Sequence, residues 1–239
     1  KNNHELTAQG GASFDDILSI IIPEGFFLPV SPGTRFVTVG GAVAADVHGK
    51  NHHKDGTFGK NVRRILLLDG NGELLELSQF DENLENRAKF WATVGGMGLT
   101  GVILEVTFSL IPISTAFISV DTSRHKNLDE LMDKMLESDK NHRYSVAWVD
   151  SLNKNFRGVL TSGNHSPKDI LPSELRIQAL DYEIRSIGKT PDIMPGGLLN
   201  QFTVRAFNEA WYRKSPIFKE GELQSIGKYF YPLDGIRDW

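Results

Sequence analysis

Four ionisable side chains crowd into the run Val47-His48-Gly49-Lys50-Asn51-His52-His53: three imidazoles and an ammonium. Groups of these types, held side by side, can take a proton, give one, or stabilise an anion as it develops. His48 and His52 also stand as H-x-x-x-H, the spacing of two zinc ligands on one helical turn, and Asp46 or Asp55 could add a third. Gly49 lies between the two histidines and would end a helix there, which spoils the i, i+4 geometry, so no metal is expected. His52 and His53 then read as loop residues shaping a pocket. Taken alone, His48 reads equally well as a helix-end histidine facing terminal carbonyls.

What precedes these groups reads as a seat for something flat. Pro32-Gly33 marks a turn, Phe36 to Val39 is a short β-favouring run, and Gly40-Gly41 breaks it. Ala42, Val43, Ala44, Ala45 and Asp46 follow, nearly all small. A short helix that starts after the two glycines would let a flat ligand or a phosphate approach its N-terminal N–H groups, with His48 and Lys50 at its exit.

A second glycine pattern, Gly96-Met97-Gly98-Leu99-Thr100-Gly101, matches the dinucleotide fingerprint G-x-G-x-x-G. That fingerprint must open a helix, whereas Val102 to Ile111 is β-rich and partly alternating. A nicotinamide site is therefore not expected. The turn at Gly98 reads as backbone that a different cofactor could approach, with a purely structural turn as the competing reading.

Other elements must carry these two stretches. Ser13 to Ile22 reads as a packing helix, N-capped by Ser13, with Phe14, Ile17, Leu18 and Ile21 on one face. Thr57 to Lys60 reads as a loop. Val62–Leu68 and Glu73–Leu77 flank the hairpin signal Asp69-Gly70-Asn71-Gly72, and Leu84 to Trp91 reads as a helix. After Pro112 the pattern changes to strands at 116–120, 144–149 and 157–161 and an amphipathic helix over 127–138. Residues 162–197 read as a long, mobile excursion rich in Pro and Gly, and 199–213 as a further helix. The expected class is α+β, with one part over 1–112 and an antiparallel-sheet part over 113–239.

Composition narrows the partners. The 239 residues hold 40% hydrophobic and 23% charged side chains, no cysteine, and a net charge of −4. Disulfides and thiolate metal sites are excluded, and nothing suggests a nucleic-acid surface. No apolar run approaches the ~20 residues of a membrane span. The chain starts at Lys1 and ends abruptly at Trp239, and is expected to be a fragment of a longer protein.

PVSPGTRFVTVGGAVAADVHGKNHH at 29–53, with FWATVGGMGLTGVI, SVAW and YFYPLD further on, resembles the decaprenylphosphoryl-β-D-ribose 2′-oxidase family. These are vanillyl-alcohol-oxidase-type flavoproteins that supply the oxidising half of a 2′-epimerase. The resemblance implies an FAD-binding domain, a substrate cap on an antiparallel sheet, and non-covalent FAD. It implies that Pro32, Gly33, Thr34 and Thr38 touch the flavin or its ribityl–diphosphate chain. Gly40, Gly41, Ala44 and Val47 would let the cofactor lie against backbone, with Ile103 near its adenine end. His48 and Lys50 would line the substrate side of the ring, Trp148 would wall the pocket, and Leu233 and Asp234 would come from the cap. Phe230 and Tyr231 stand where mycobacterial members carry Tyr and His.

The chemistry that follows is oxidation of a secondary alcohol on a lipid-linked ribose, at a membrane surface or in the bacterial cytoplasm, with a separate NADH-dependent reductase completing the epimerisation. Which of His48 and Lys50 takes the proton stays open. The resemblance also implies that the glycine-rich loop binding the FAD diphosphate precedes residue 1, and that further substrate residues follow Trp239. A soluble sugar, alditol or aldonolactone oxidase of the same fold, or a non-catalytic truncated module, are the alternatives.

Overall fold

The computed structural model describes residues 4–182, 188–189, 200–234 and 236–237. The first half comprises β1 (Glu5–Gln9), α1 (Phe14–Ile21), β2 (Phe26–Phe27), α2 (Val39–Ala44) and α3 (His52–Asp55). It continues through β3 (Val62–Asp69), β4 (Leu74–Ser78), α4 (Leu84–Thr93), β5 (Gly101–Ser109) and β6 (Ile111–Pro112). Its main sheet runs β1-β5-β3-β4, every pair antiparallel.

Local chemistry explains the well-formed pieces. Ser13 and Asp16 close a capping box on α1, and the helix buries Phe14, Ile17, Leu18 and Ile21 as their spacing requires. At the β3–β4 turn the Asp69 carboxylate accepts N–H bonds from Asn71 (2.8 Å) and Glu73 (2.9 Å), and Gly72 takes φ 82°. Phe58 bridges helix and sheet, 5.3 Å from both Phe14 and Phe108 between ring centres. The Thr57–Lys60 stretch, expected as a loop, forms a 3-10 turn over Phe58–Asn61 with Phe58 and Gly59 buried, because this phenyl pins it to the core.

The second half contains β7 (Phe117–His125), α5 (Leu128–Ser138), β8 (Tyr144–Val149), β9 (Gly158–His165), α6 (Ser173–Arg176) and β10 (Gly188–Lys189). It ends with α7 (Gln201–Lys214), β11 (Phe218–Ser225), α8 (Ile226–Phe230) and β12 (Ile236–Arg237). Its antiparallel sheet runs β11-β7-β9-β8. Of the excursion expected at 162–197, residues 162–165 continue β9 and 168–176 form short turns; 183–187 and 190–199 lie outside the described residues. α5 covers one face, with Leu131 lying where a side chain on Gly158 would have to go. α7 crosses the far end: Asn208 donates to Asp150 at 2.7 Å, and Arg157 pairs with both Asp150 and Glu209.

The halves meet along a polar and aromatic seam. Arg143 clamps Asp55 through two nitrogens at 2.8 and 3.1 Å. The Ser145 N–H donates to the Lys50 carbonyl at 2.8 Å. Phe230 lies 4.9 Å from Phe27 on one side and 4.9 Å from Tyr144 on the other. The seam thus runs directly under the segment carrying His48 and Lys50.

Candidate active site

The small helix differs from its expected form. α2 starts one residue before Gly40, not after Gly41, because Thr38 acts as N-cap and accepts the Gly41 N–H at 3.2 Å. The other leading N–H groups are also spent: Val39 on the Ala12 carbonyl, Gly40 on the Gly10 carbonyl, and Ala42 on Thr38. The helix start therefore offers a ligand no free donors. What it offers is bare backbone: Gly41 and Gly33 are exposed, and Gly10-Gly11 adjoin Gly40 from the β1–α1 turn. This ledge fits the flat edge of a large cofactor by its lack of side chains.

The glycine-rich turn at 96–101 resolves as part of the same support. Gly95 donates to the Val43 carbonyl at 3.0 Å and Met97 to the Ala44 carbonyl at 2.8 Å, so the turn caps the C-terminal end of α2. β5 follows it, as the dinucleotide reading could not allow. Gly98 takes φ 79° with open space where a side chain would sit.

From α2 the chain turns through Asp46, whose carboxylate accepts the Gly59 N–H at 2.9 Å. Val47 has both backbone groups engaged, with Ala42 and Phe58. His48 is exposed and bridges to Thr57. Gly49 is required by a close approach: a side-chain carbon there would lie 2.5 Å from the Ser31 carbonyl oxygen. Asn51, fully buried, locks the following turn by donating to the Pro29 carbonyl at 2.7 Å and to Asp55. His52 and His53, expected in a loop, lie in the one-turn α3. His52 packs edge-on to His48 at 5.5 Å, while His53 reaches the cap, 3.3 Å from the His142 carbonyl. Among the described residues no three His, Cys, Asp or Glu side chains converge as a metal site.

Lys50 is the electrostatic centre of this arrangement. Its ammonium donates to the Phe230 carbonyl at 3.1 Å and lies 5.8 and 5.6 Å from the Tyr229 and Phe230 ring centres. Among the described residues it has no carboxylate partner, and burial pulls its pKa down to about 8. Phe230, which lacks the hydroxyl of the mycobacterial pattern, thus serves Lys50 through its backbone.

The remaining expected residues fall in three places. Trp148 is half-buried on β8, on the same face as Tyr144 and Val146, turned from the face that Ser145 presents to Asp139 behind α5. Leu233 is exposed. Asp234 is buried and turned inward: its carboxylate accepts the Arg35 N–H at 2.8 Å and lies 3.4 Å from the guanidinium, which also holds Asp15 at 2.6 Å. That contact anchors the Pro32–Thr34 turn. Tyr231 ties the same segment to Ser31 at 2.5 Å. Ile103 presents its carbonyl to Gly10, where a side-chain carbon would come within 2.1 Å. The sequence reading missed Gly10-Gly11, Ser31, Arg35 and Asn51. Only the Gly-Gly pair, between a short strand and an N-cap serine, carried a local signal.

Residues 1–78 match the FAD binding domain family. The chain is 40% identical over 238 residues to decaprenylphosphoryl-β-D-ribose oxidase of Mycolicibacterium smegmatis, covering 98% of the chain and 51% of that protein. It is 32% identical over 231 residues to an uncharacterised Streptomyces coelicolor protein, covering 92% of the chain and 61% of that protein. A D-lactate dehydrogenase of Anaerostipes hadrus is 28% identical over 121 residues, 50% of the chain and 26% of the enzyme. The chain spans between a half and two thirds of the first two relatives. The bare ledge on α2 and Lys50 thus both lie within the 78 residues that match the FAD binding domain family, in an α+β fold, and the cofactor this match indicates is FAD.

Proposed function

We propose that this chain forms the cofactor seat and part of the substrate cap of an FAD-dependent oxidase acting on the 2′-hydroxyl of a polyprenyl-phosphoryl-β-D-ribose. The reaction removes a hydride from C2′ and a proton from its hydroxyl, leaving a 2′-keto sugar. FAD, when bound, supplies the two-electron acceptor. The chain's own residues do the rest. Pro32, Gly33, Thr34, Thr38, Gly40, Gly41, Ala44, Val47 and Gly98 line the cofactor's path, with Ile103 toward its far end. His48 and Lys50 face the reacting carbon, Trp148 and Leu233 wall the sugar, and Asp234 supports the seat through Arg35. The lipid tail sets the work at a membrane surface, and a separate NADH-dependent reductase takes the keto product. No described helix is long and apolar enough to cross a membrane.

The observation that carries this reading is Lys50. A cation desolvated against two rings, steadied by one carbonyl and, among the described residues, unmatched by a carboxylate, is poised for an anion that arrives with the reaction. Lys50→Met in the full-length parent tests it. Flavin absorbance is retained, and kcat for a polyprenyl-phosphoryl pentose falls by about 10²–10³. Unchanged turnover overturns the role of Lys50; preferential oxidation of soluble polyols overturns the substrate. The pH profile separates the two roles left open. A rate that rises to a plateau above about pH 8 marks Lys50 as the base, and one that falls there marks it as the electrostatic cation.

A further inference from the structure

We infer that the cap carries a second binding site, for a neutral sugar unit, in the groove between α5 and β11 on the sheet face opposite Tyr144 and Trp148. The strand registers put Asp121, Ser123 and Ser162 on one face, since Ser162 pairs across β9 with both Asp121 and Ser145. α5 and the start of β11 rise on either side of this floor and enclose a cavity of about 130 Å³.

Three features make it a built site. Ser162 is 1% exposed and its hydroxyl has no hydrogen-bond partner among the described residues, yet it lines this cavity. A buried hydroxyl without a partner is costly, so a ligand that completes its hydrogen bonding gains what the empty groove lacks. Of the charged groups on the walls, Lys134 is matched with Glu137 at 3.0 Å and Asp121 lies 3.2 Å from His142, while the Glu220 carboxylate lines the same cavity as a third acid. An anion would have to displace a carboxylate from Lys134 or His142 in a lining of three acids, whereas hydroxyls can use the lone pairs and protons these groups leave over. At the rim the Phe218 ring is 60% exposed, a flat apolar surface of the kind on which the C–H face of a sugar packs. Acceptors and donors alternating beside an aromatic plane fit a polyhydroxylated ring better than a phosphate or an aliphatic chain, and the spermidine arm of the test below decides against an amine.

The test is saturation-transfer NMR on the whole chain, titrating free D-ribose and D-arabinose to about 50 mM, well above a Kd on the order of 1 mM. Spermidine and inorganic phosphate serve as cationic and anionic probes. The expected result is transfer to a pentose, weakened about three- to tenfold by Phe218→Ala and by Ser162→Ala. Phe218 is exposed and Ser162→Ala removes an unsatisfied group, so neither variant endangers the fold. Ser162→Ala gives the sharpest contrast: a hydroxyl that is only a packing defect predicts a more stable chain with unchanged pentose binding, and that outcome overturns the site. Absence of transfer at 50 mM, or stronger binding of spermidine or phosphate, also overturns it. Loss of transfer in the Phe218 and Ser162 variants places the pentose at the α5 face and not at the seam, so the readout needs neither flavin nor turnover.

Discussion

Two cations flank the cofactor seat, and the same C-terminal segment serves both. Arg35 at one end is 4% exposed and held by two carboxylates, Asp15 and Asp234. Lys50 at the other end, among the described residues, donates only to the Phe230 carbonyl and faces two rings. A matched charge is fixed across the working pH range and serves as an anchor. An unmatched one, with its pKa near 8, changes state where chemistry needs it. The contrast separates structure from function more cleanly than burial does, since both side chains leave water.

The contrast can be broken most severely at the anchor. Asp234→Ala leaves Arg35 buried with half its partners and is expected to cost about 3–5 kcal/mol in urea unfolding. Next comes the aromatic backing of Lys50, where the Tyr144 hydroxyl meets His165 Nε2 at 3.0 Å. Burial first, and then the Arg143 charge, pull the His165 pKa to about 3 against an unfolded value near 6.5. The unfolded chain binds the extra proton below pH 6.5, so stability falls as pH drops from 6.5 toward 3, by about 1.4 kcal/mol per unit. His165→Gln is expected to flatten that part of the stability–pH curve relative to wild type.

At the functional end the sign is the same but the pH window is higher, between about 8 and 10.5. The folded pKa of Lys50 lies below its unfolded value of 10.5, so the charged form disfavours folding at neutral pH. Lys50→Met is expected to raise stability at pH 7 by roughly 1–3 kcal/mol, in the same variant that loses turnover. A lower melting temperature for this variant would mean that the cation holds the seam together. The smallest effect belongs to the ledge itself: Thr38→Ala removes the cap of α2 and is expected to cost about 1 kcal/mol in thermal unfolding.

What could be read from residue order alone was what local chemistry decides. Ser13 with Asp16, the Asp69–Gly72 turn, and the strand after Gly101 all follow from signals within a few positions. Thr38 shows the limit of that reading. A threonine in a β-favouring run looked like strand, and only the carbonyls of Gly10 and Ala12, supplied by a distant turn, make a helix start there. β1 escaped notice because five residues beside a Gly-Gly give too short an alternation, although pairing with β5 makes it firm. At the candidate site, the histidines and Lys50 were legible from type and spacing. The inward role of Asp234 was not, because its partner Arg35 lies 199 residues away and neither residue announces the other.

That separation sets the order in which the molecule can be completed. Arg35, Ser31 and Lys50 leave the ribosome long before Asp234, Tyr231 and Phe230, their partners 180 to 200 residues downstream. At a synthesis rate of about 5–20 residues per second, the early residues wait roughly ten seconds or more with the seat half built. Until the late segment folds back, the Pro32–Thr34 turn lacks its Asp234 anchor and Lys50 remains in water at its ordinary pKa. A chain stalled before Phe230 therefore displays the ledge with Lys50 still an ordinary hydrated ammonium, not the desolvated one that the folded segment creates.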